Sequence, residues 1–189
     1  MKKIVIFASG SGSNAEKIIL HFKESSQGNV VGILSNNLHA KVLEKAKNND
    51  VPTIVFDKTE LSDGTILNKI NEIGPDLIVL AGFLLKFPES IIAAYPDKIV
   101  NIHPALLPKY GGKGMYGMNV HKAVLENKEA ETGITIHYVN EHYDEGGIVF
   151  QAKTNIEECK TPEEIAEKVH QLEHEHYPAV IEKLITLKS

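Results

Sequence analysis

The 189-residue chain contains no arginine; all 20 of its basic residues are lysines. Guanidinium forks are therefore excluded, and an anion must be held by ammonium groups, backbone N–H groups or helix N-termini. Tryptophan is absent too, and Cys159 is the single cysteine. No disulfide can form within the chain, and a reducing, cytoplasmic setting is the expectation. No apolar run approaches the roughly 18 residues that a membrane helix needs. The opening MKKIVIFASG imitates a signal peptide, but its apolar stretch, residues 4–8, is too short, so a first strand is expected there. A net charge of −5 without any basic stripe argues against nucleic acid as a partner.

What is present is ordinary for a globular protein: 42% hydrophobic and 24% charged residues. Apolar, often β-branched runs at 3–8, 29–35, 53–56, 76–81 and 98–102 read as strands. Helical patterns fall between them near 13–25, 39–49, 61–73 and 88–95. That alternation predicts βαβ units and a parallel sheet covered on both faces. A Gly-rich loop at 111–117 precedes a helix near 118–127, and two runs at 133–140 and 147–154 read as an antiparallel pair. The last helix opens on Thr161, Pro162, Glu163 and Glu164, a capping box with proline at the first helical position. Pro178 is expected to kink or end that helix near Tyr177. One α/β domain, a mostly parallel sheet with an antiparallel C-terminal pair, is the expected architecture.

Between the first strand and first helix lies FASGSGSNA, which fits G-x-G-x-x-A at Gly10, Gly12 and Ala15. Such a loop presents N–H groups to a phosphate. A dinucleotide site also wants an acid closing the second strand. Here that strand closes on Ser35, Asn36 and Asn37, so a phosphomonoester fits better. A plain turn capped by Ser13 is the simpler alternative.

The strand KIVNIH places Asn101 and His103 on one face, roughly 6.5–7 Å apart, at its C-terminal end. In open parallel sheets ligands bind at that edge. Asn can donate to an oxygen gaining charge, and His can move a proton near neutral pH. Pro104 and Pro108 stiffen the departing loop; a strand-ending His tied to a loop carbonyl is the structural alternative. The loop 140–147 offers Glu141, Asp144 and Glu145, and nothing in the residues themselves selects which acid reaches His103. His170 and His174, one helical turn apart, have the spacing of a metal pair but no accompanying ligands, so no metal is expected. Phe83, Leu84, Leu85, Lys86 and Phe87 form an apolar rim after the fourth strand, as suited to plain core as to a pocket floor.

Four stretches together, SGSGSN at 9–14, LIVLAGF at 77–83, NIHPALLPKY at 101–110 and DEGGIVFQ at 144–151, resemble the phosphoribosylglycinamide formyltransferases, folate-dependent enzymes of purine synthesis. The resemblance runs nearly end to end. It implies one Rossmann-like formyltransferase domain over 1–189, with a phosphate-binding half to about residue 100 and a catalytic, folate-binding half after it. It implies that Asn101, His103 and Asp144 form the catalytic group and that Gly12, Ser13, Asn14 and Glu173 bind the ribonucleotide. Lys58, Leu84, Leu85, Lys86, Phe87, Asn101, Asn140, Glu141, His142, Tyr143 and Asp144 would bind the folate.

The implied substrates are glycinamide ribonucleotide and 10-formyltetrahydrofolate, with no metal, in a monomer or homodimer. Asp144 is expected to raise the pKa of His103, so that a protonated imidazole and Asn101 together steady the developing oxyanion. Relatives that formylate methionyl-tRNA carry a further C-terminal domain for which this chain is expected to leave no room. Two readings remain beside this one: hydrolysis of the formyl donor, and a non-catalytic sensor of a phosphorylated metabolite.

Overall fold

The structure, a computed structural model, describes residues 1–187. In chain order its elements are β1 (Lys2–Phe7), α1 (Ser13–Glu24), β2 (Gly28–Ser35), α2 (Lys41–Asn48), β3 (Thr53–Val55), α3 (Lys58–Ser62), α4 (Thr65–Ile73) and β4 (Leu77–Leu80). There follow α5 (Glu89–Ala94), β5 (Ile99–His103), α6 (Met118–Glu126), β6 (Glu131–Tyr138), β7 (Ile148–Asn155) and α7 (Pro162–Leu187). The sheet runs β3-β2-β1-β4-β5-β6-β7. The first five strands pair in parallel, and β5-β6 and β6-β7 are antiparallel. The expected mixed architecture is borne out.

Alternate residues of a strand face opposite sides. Ile4 and Ile6 thus join buried residues of α1, α2, α6 and α7, while Val5 and Phe7 join those of α3, α4 and α5. Phe7 meets Phe56, Phe83 and Phe87 edge-on with ring centroids 5.9, 5.4 and 5.0 Å away. That contact fastens the rim after β4 to the sheet. The chain leaves β1 toward β2 and later returns to its other side as β4, so the strand order switches direction there. Such a switch opens a crevice at the C-terminal strand ends.

Two expectations need correction. The helix expected over 61–73 is two helices, because Gly64 takes a left-handed φ of 94° and breaks the run. An Asp57–Glu60 capping box starts α3 and an Asp63 carboxylate accepting from the Thr65 N–H starts α4. Pro178 does not end α7, which continues to Leu187. An internal proline costs about 3 kcal/mol, and burial of Tyr177, Ile181, Leu184 and Ile185 around it offsets that cost. The Tyr177 phenol also donates to the Leu80 carbonyl at 2.9 Å, tying the helix to the end of β4. This tie brings the preceding turn of α7, with Glu173, to the crevice.

Candidate active site

The crevice is a cleft of about 640 Å³. On the α1 side it is lined by Gly10, Ser11, Gly12, Ser13 and Asn14, with Glu173 and His170 of α7. Asn101 and His103 line its centre, and the loops after β4 and β6 supply Leu84, Leu85, Lys86, Phe87, Asn140, Glu141, His142, Tyr143 and Asp144. Lys58, the remaining expected folate contact, is exposed at the start of α3 and is not in the lining.

The glycine loop is held by packing. Gly12 has a left-handed φ of 68°, and a Cβ there would lie 2.4 Å from the Val42 side chain and 2.8 Å from its Cα. The glycine is required because α2 passes so close. The Ser9 hydroxyl donates to Asn36 Oδ1 at 2.6 Å and accepts from the Leu84 N–H at 3.0 Å, joining the loops after β1, β2 and β4. Asn36 occupies the strand end where a dinucleotide site would carry an acid, and it is used for this tie. Ser13 does not cap α1, whose N-cap is Gly12 without a side-chain bond. Asn14 Nδ2 donates to Glu173 Oε2 at 2.9 Å, while its own buried Oδ1 has no protein partner. Burial pushes the Glu173 carboxyl upward against the lowering effect of the Asn14 bond.

At the centre the sheet register does the placing. Asn101 pairs across the sheet with His137 and His103 with Thr135, so β6 delivers a second histidine opposite the Asn-x-His strand end. Asn101 Nδ2 donates to His137 Nε2 at 3.2 Å, and His137 Nδ1 donates to the Tyr138 carbonyl at 2.8 Å. Asp144 is the acid of its loop that arrives: its Oδ2 lies 3.6 Å from His103 Nδ1 and its Oδ1 3.6 Å from His137 Nε2. The Gly112 N–H donates to the same Oδ2 at 2.9 Å. Glu141 instead lies beside exposed His142 at 3.8 Å. Buried Thr135 donates to the Ala105 carbonyl and accepts from the Leu107 N–H and the Gln151 amide, so it braces the loop beyond His103 along with the prolines.

His103 Nε2 lies 2.7 Å from the Tyr110 carbonyl. A carbonyl only accepts, so Nε2 carries a hydrogen and Nδ1 faces Asp144. The expected rise in the His103 pKa is overturned. Burial holds His103 below its usual value, outweighing the attraction of Asp144 and the Tyr110 bond. Burial also acts on Asp144, upward, but the His137 ring beside it, the His103 charge and the Gly112 N–H together hold its carboxyl below the usual range. Near neutral pH the centre therefore rests as an ionised Asp144 beside a largely neutral His103. Two acceptors then face each other across 3.6 Å, a setting made for an incoming N–H group.

His137, His121 and His170 are cleft residues that sequence reasoning did not select as site residues. His137 was within reach, because it is the last but one residue of β6, on the same face as Thr135 two positions earlier. Its partner Asn101 depended on register. His121, 2% exposed on α6, has an unpartnered Nδ1 and is pushed down to about 4 by burial, then by His170 and His103. The His170 and His174 rings stack in parallel, 6.3 Å apart at 11°. Among the described residues no group of three metal-binding side chains converges, and no helix is long and apolar enough to cross a membrane.

An α/β sheet with its reactive side chains at the ends of β5 and β6 defines a small-molecule enzyme class, and comparison specifies it. The formyl transferase family profile matches residues 2–181. The chain belongs to that family. It is 34% identical over 195 residues to phosphoribosylglycinamide formyltransferase of Bacillus subtilis (strain 168), covering all of this chain and 97% of that protein. The chloroplastic enzyme of that name from Arabidopsis thaliana is 41% identical over 187 residues, covering 95% of this chain, which spans 64% of the plant protein's length. A crystal structure of phosphoribosylglycinamide formyltransferase from Bacillus halodurans superposes with a TM-score of 0.89 at 35% identity, covering 100% of this chain and 97% of that one. The motif resemblance is borne out.

Proposed function

We propose that the protein transfers a formyl group from 10-formyltetrahydrofolate to the amine of glycinamide ribonucleotide in purine synthesis. The observation that carries this reading is the meeting of Asn101, His103 and Asp144 in a cleft that also contains the α1 N-terminus. One class of ligand fits each side. Backbone N–H groups at the start of α1 suit a phosphate in a chain without arginine, and Glu173 with Asn14 suits ribose or amide groups. The apolar rim of Leu84, Leu85 and Phe87 suits a flat heterocycle, and the loop 140–144 supplies polar groups for its edge.

The folate donor presents its formyl carbon on a nitrogen, and the ribonucleotide amine adds to that carbon. Asn101 Nδ2, already anchored by His137, donates to the formyl oxygen as it gains negative charge. His103 Nδ1, neutral at rest, takes the proton that the attacking amine must lose. The imidazolium so formed is stabilised by the Asp144 carboxylate 3.6 Å away. His103 then returns the proton to the folate nitrogen as the carbon–nitrogen bond breaks. The products are an N-formylated amide and a folate N–H, and the residues end as they began.

On this reading residues 1–100 contribute the phosphate side and the apolar rim for the folate, and the rest of the same domain contributes the catalytic group, the polar loop 140–144 and Glu173. On the same reading the protein works as a monomer or homodimer, in the reducing cytoplasm that a single cysteine, Cys159, suits. The test is whether purified protein discharges 10-formyltetrahydrofolate only when glycinamide ribonucleotide is added. Equal discharge in its absence would identify a hydrolase, and no discharge with both present would remove the enzyme reading.

A further inference from the structure

The hydrogen bond that sets the tautomer of His103 comes from a residue in an unfavourable conformation. Tyr110 has a φ of 56°, a left-handed value that is unfavourable for a residue with a Cβ. Its carbonyl accepts from His103 Nε2 at 2.7 Å. Two residues on, Gly112 donates to Asp144 at 2.9 Å, so one short turn touches both the histidine and the acid. Turns of this kind persist only when their surroundings over-determine them.

What holds this one lies outside the cleft. The Tyr110 phenol donates to Glu129 Oε1 at 2.8 Å, and Lys109 Nζ donates to the same oxygen at 2.9 Å. Glu129 follows α6 and precedes β6, and it is absent from the cleft lining. The ring of Tyr110 packs on the core beneath the sheet. Burial, then the Glu129 bond and charge, pushes the phenol up to about 12, so it stays a donor at any working pH. Lys109, Tyr110 and Glu129 thus form one brace between the loop after β5 and the start of β6.

We propose that Glu129 is a positioning residue that acts through the Tyr110 phenol. It holds the Tyr110 carbonyl where it fixes His103 as the Nε2–H tautomer and leaves Nδ1 free to accept a proton. What Nδ1 then does rests on the formyl-transfer reading; the tautomer does not. Without the brace the turn relaxes toward negative φ, the carbonyl swings away, and Nε2 loses its acceptor. His103 then samples the Nδ1–H form, which donates toward Asp144 and is useless as a base.

Ring-nitrogen NMR of ¹⁵N-labelled protein near pH 8, where buried His103 is neutral, reads the tautomer directly. Wild type is expected to show Nε2–H alone. Tyr110→Phe keeps the ring packing and removes the phenol; it should give a tautomer mixture and a kcat about tenfold lower, with the ribonucleotide KM unchanged. Glu129→Ala should do the same, and the double variant should be no worse than either single one, because both break one brace. Glu129→Gln retains an oxygen acceptor and should keep the wild-type pattern. Pure Nε2–H in Glu129→Ala would overturn the proposal, even with lower thermal stability, since that outcome marks a merely structural tie. Glu129 is partly exposed, so that variant decides the matter should Tyr110→Phe not fold. Absence of transferase activity in wild type would remove the proposed function and leave the tautomer result standing.

Discussion

His103 and His137 are 3% and 2% exposed, whereas Leu84, Tyr116 and Tyr143, which line the same cleft, are 56%, 53% and 46% exposed. The first pair sits on paired strands, and their ring nitrogens bond to backbone carbonyls of Tyr110 and Tyr138. The three exposed side chains sit on loops, one of them in a stretch where Gly112, Gly114 and Gly117 all have positive φ. On the proposed reading His103 moves a proton, a step that tolerates little displacement, and its ring is fixed by a sheet and by main-chain bonds. The folate donor proposed for this cleft is large and must enter and leave, and the exposed side chains that would meet it are on segments with fewer buried contacts. One cleft thus combines a rigid centre with an adaptable margin.

That contrast can be broken at its centre first. His103→Ala should lower turnover at least ~10²-fold with ribonucleotide affinity little changed; near-normal turnover of the folded variant would remove His103 from the chemistry. Asp144→Asn comes next. Asp144 is the larger of the two influences that raise the His103 pKa against burial, so the amide should lower that pKa further. The imidazolium formed in the reaction then lacks its partner, and each tenfold change in its protonation equilibrium corresponds to about 1.4 kcal/mol of lost stabilisation. Titration of His103 by NMR checks the sign, and Glu141→Gln should leave it where it is in wild type.

The α1 side should respond differently, because packing rather than hydrogen bonding builds it. Gly12→Ala drives a Cβ into Val42 at a positive φ and should destabilise the fold by about 2 kcal/mol in urea melts. Both ligands should weaken together as α1 and α2 part, and Val42→Ala in the same chain should restore part of the loss. Weakening of the ribonucleotide alone, with unchanged stability, would show that the glycine serves the phosphate directly. At the margin, Leu84→Ala should change stability by no more than ~0.5 kcal/mol. It should raise the KM of the folate donor about two- to tenfold through lost apolar contact. A similar rise in the ribonucleotide KM would mean the two ligand sides are misassigned.

Local signals carried much of this molecule. Runs of β-branched residues marked β1, β2, β4 and β5, because a strand buried on both faces has to be apolar at every position. Strand periodicity alone put Asn101 and His103 on one face at the ligand-binding edge. The residues did not select Asp144 over Glu141 and Glu145; family resemblance did, and the loop, with Asp144 at a φ of 57°, brings that carboxylate 3.6 Å from His103 Nδ1. The break at Gly64 was missed because an apolar helical pattern continues across it, and Pro178 misled because a local rule ignores the core on which α7 lies.

The direction of the His103 pKa was beyond any reading of motifs. A carboxylate 3.6 Å away pulls it up, yet the depth to which helices and strands bury the ring decides the sign. The same holds for His137 opposite Asn101, for Gly12 against Val42 and for Glu129 behind Tyr110. Each pair is brought together by register or packing between separate segments of the chain. Which groups stand at the end of β5 follows from the order of residues alone, since periodicity is a property of neighbours. Which partners those groups meet, and how dry the meeting place is, depends on what the rest of the folded chain packs around them.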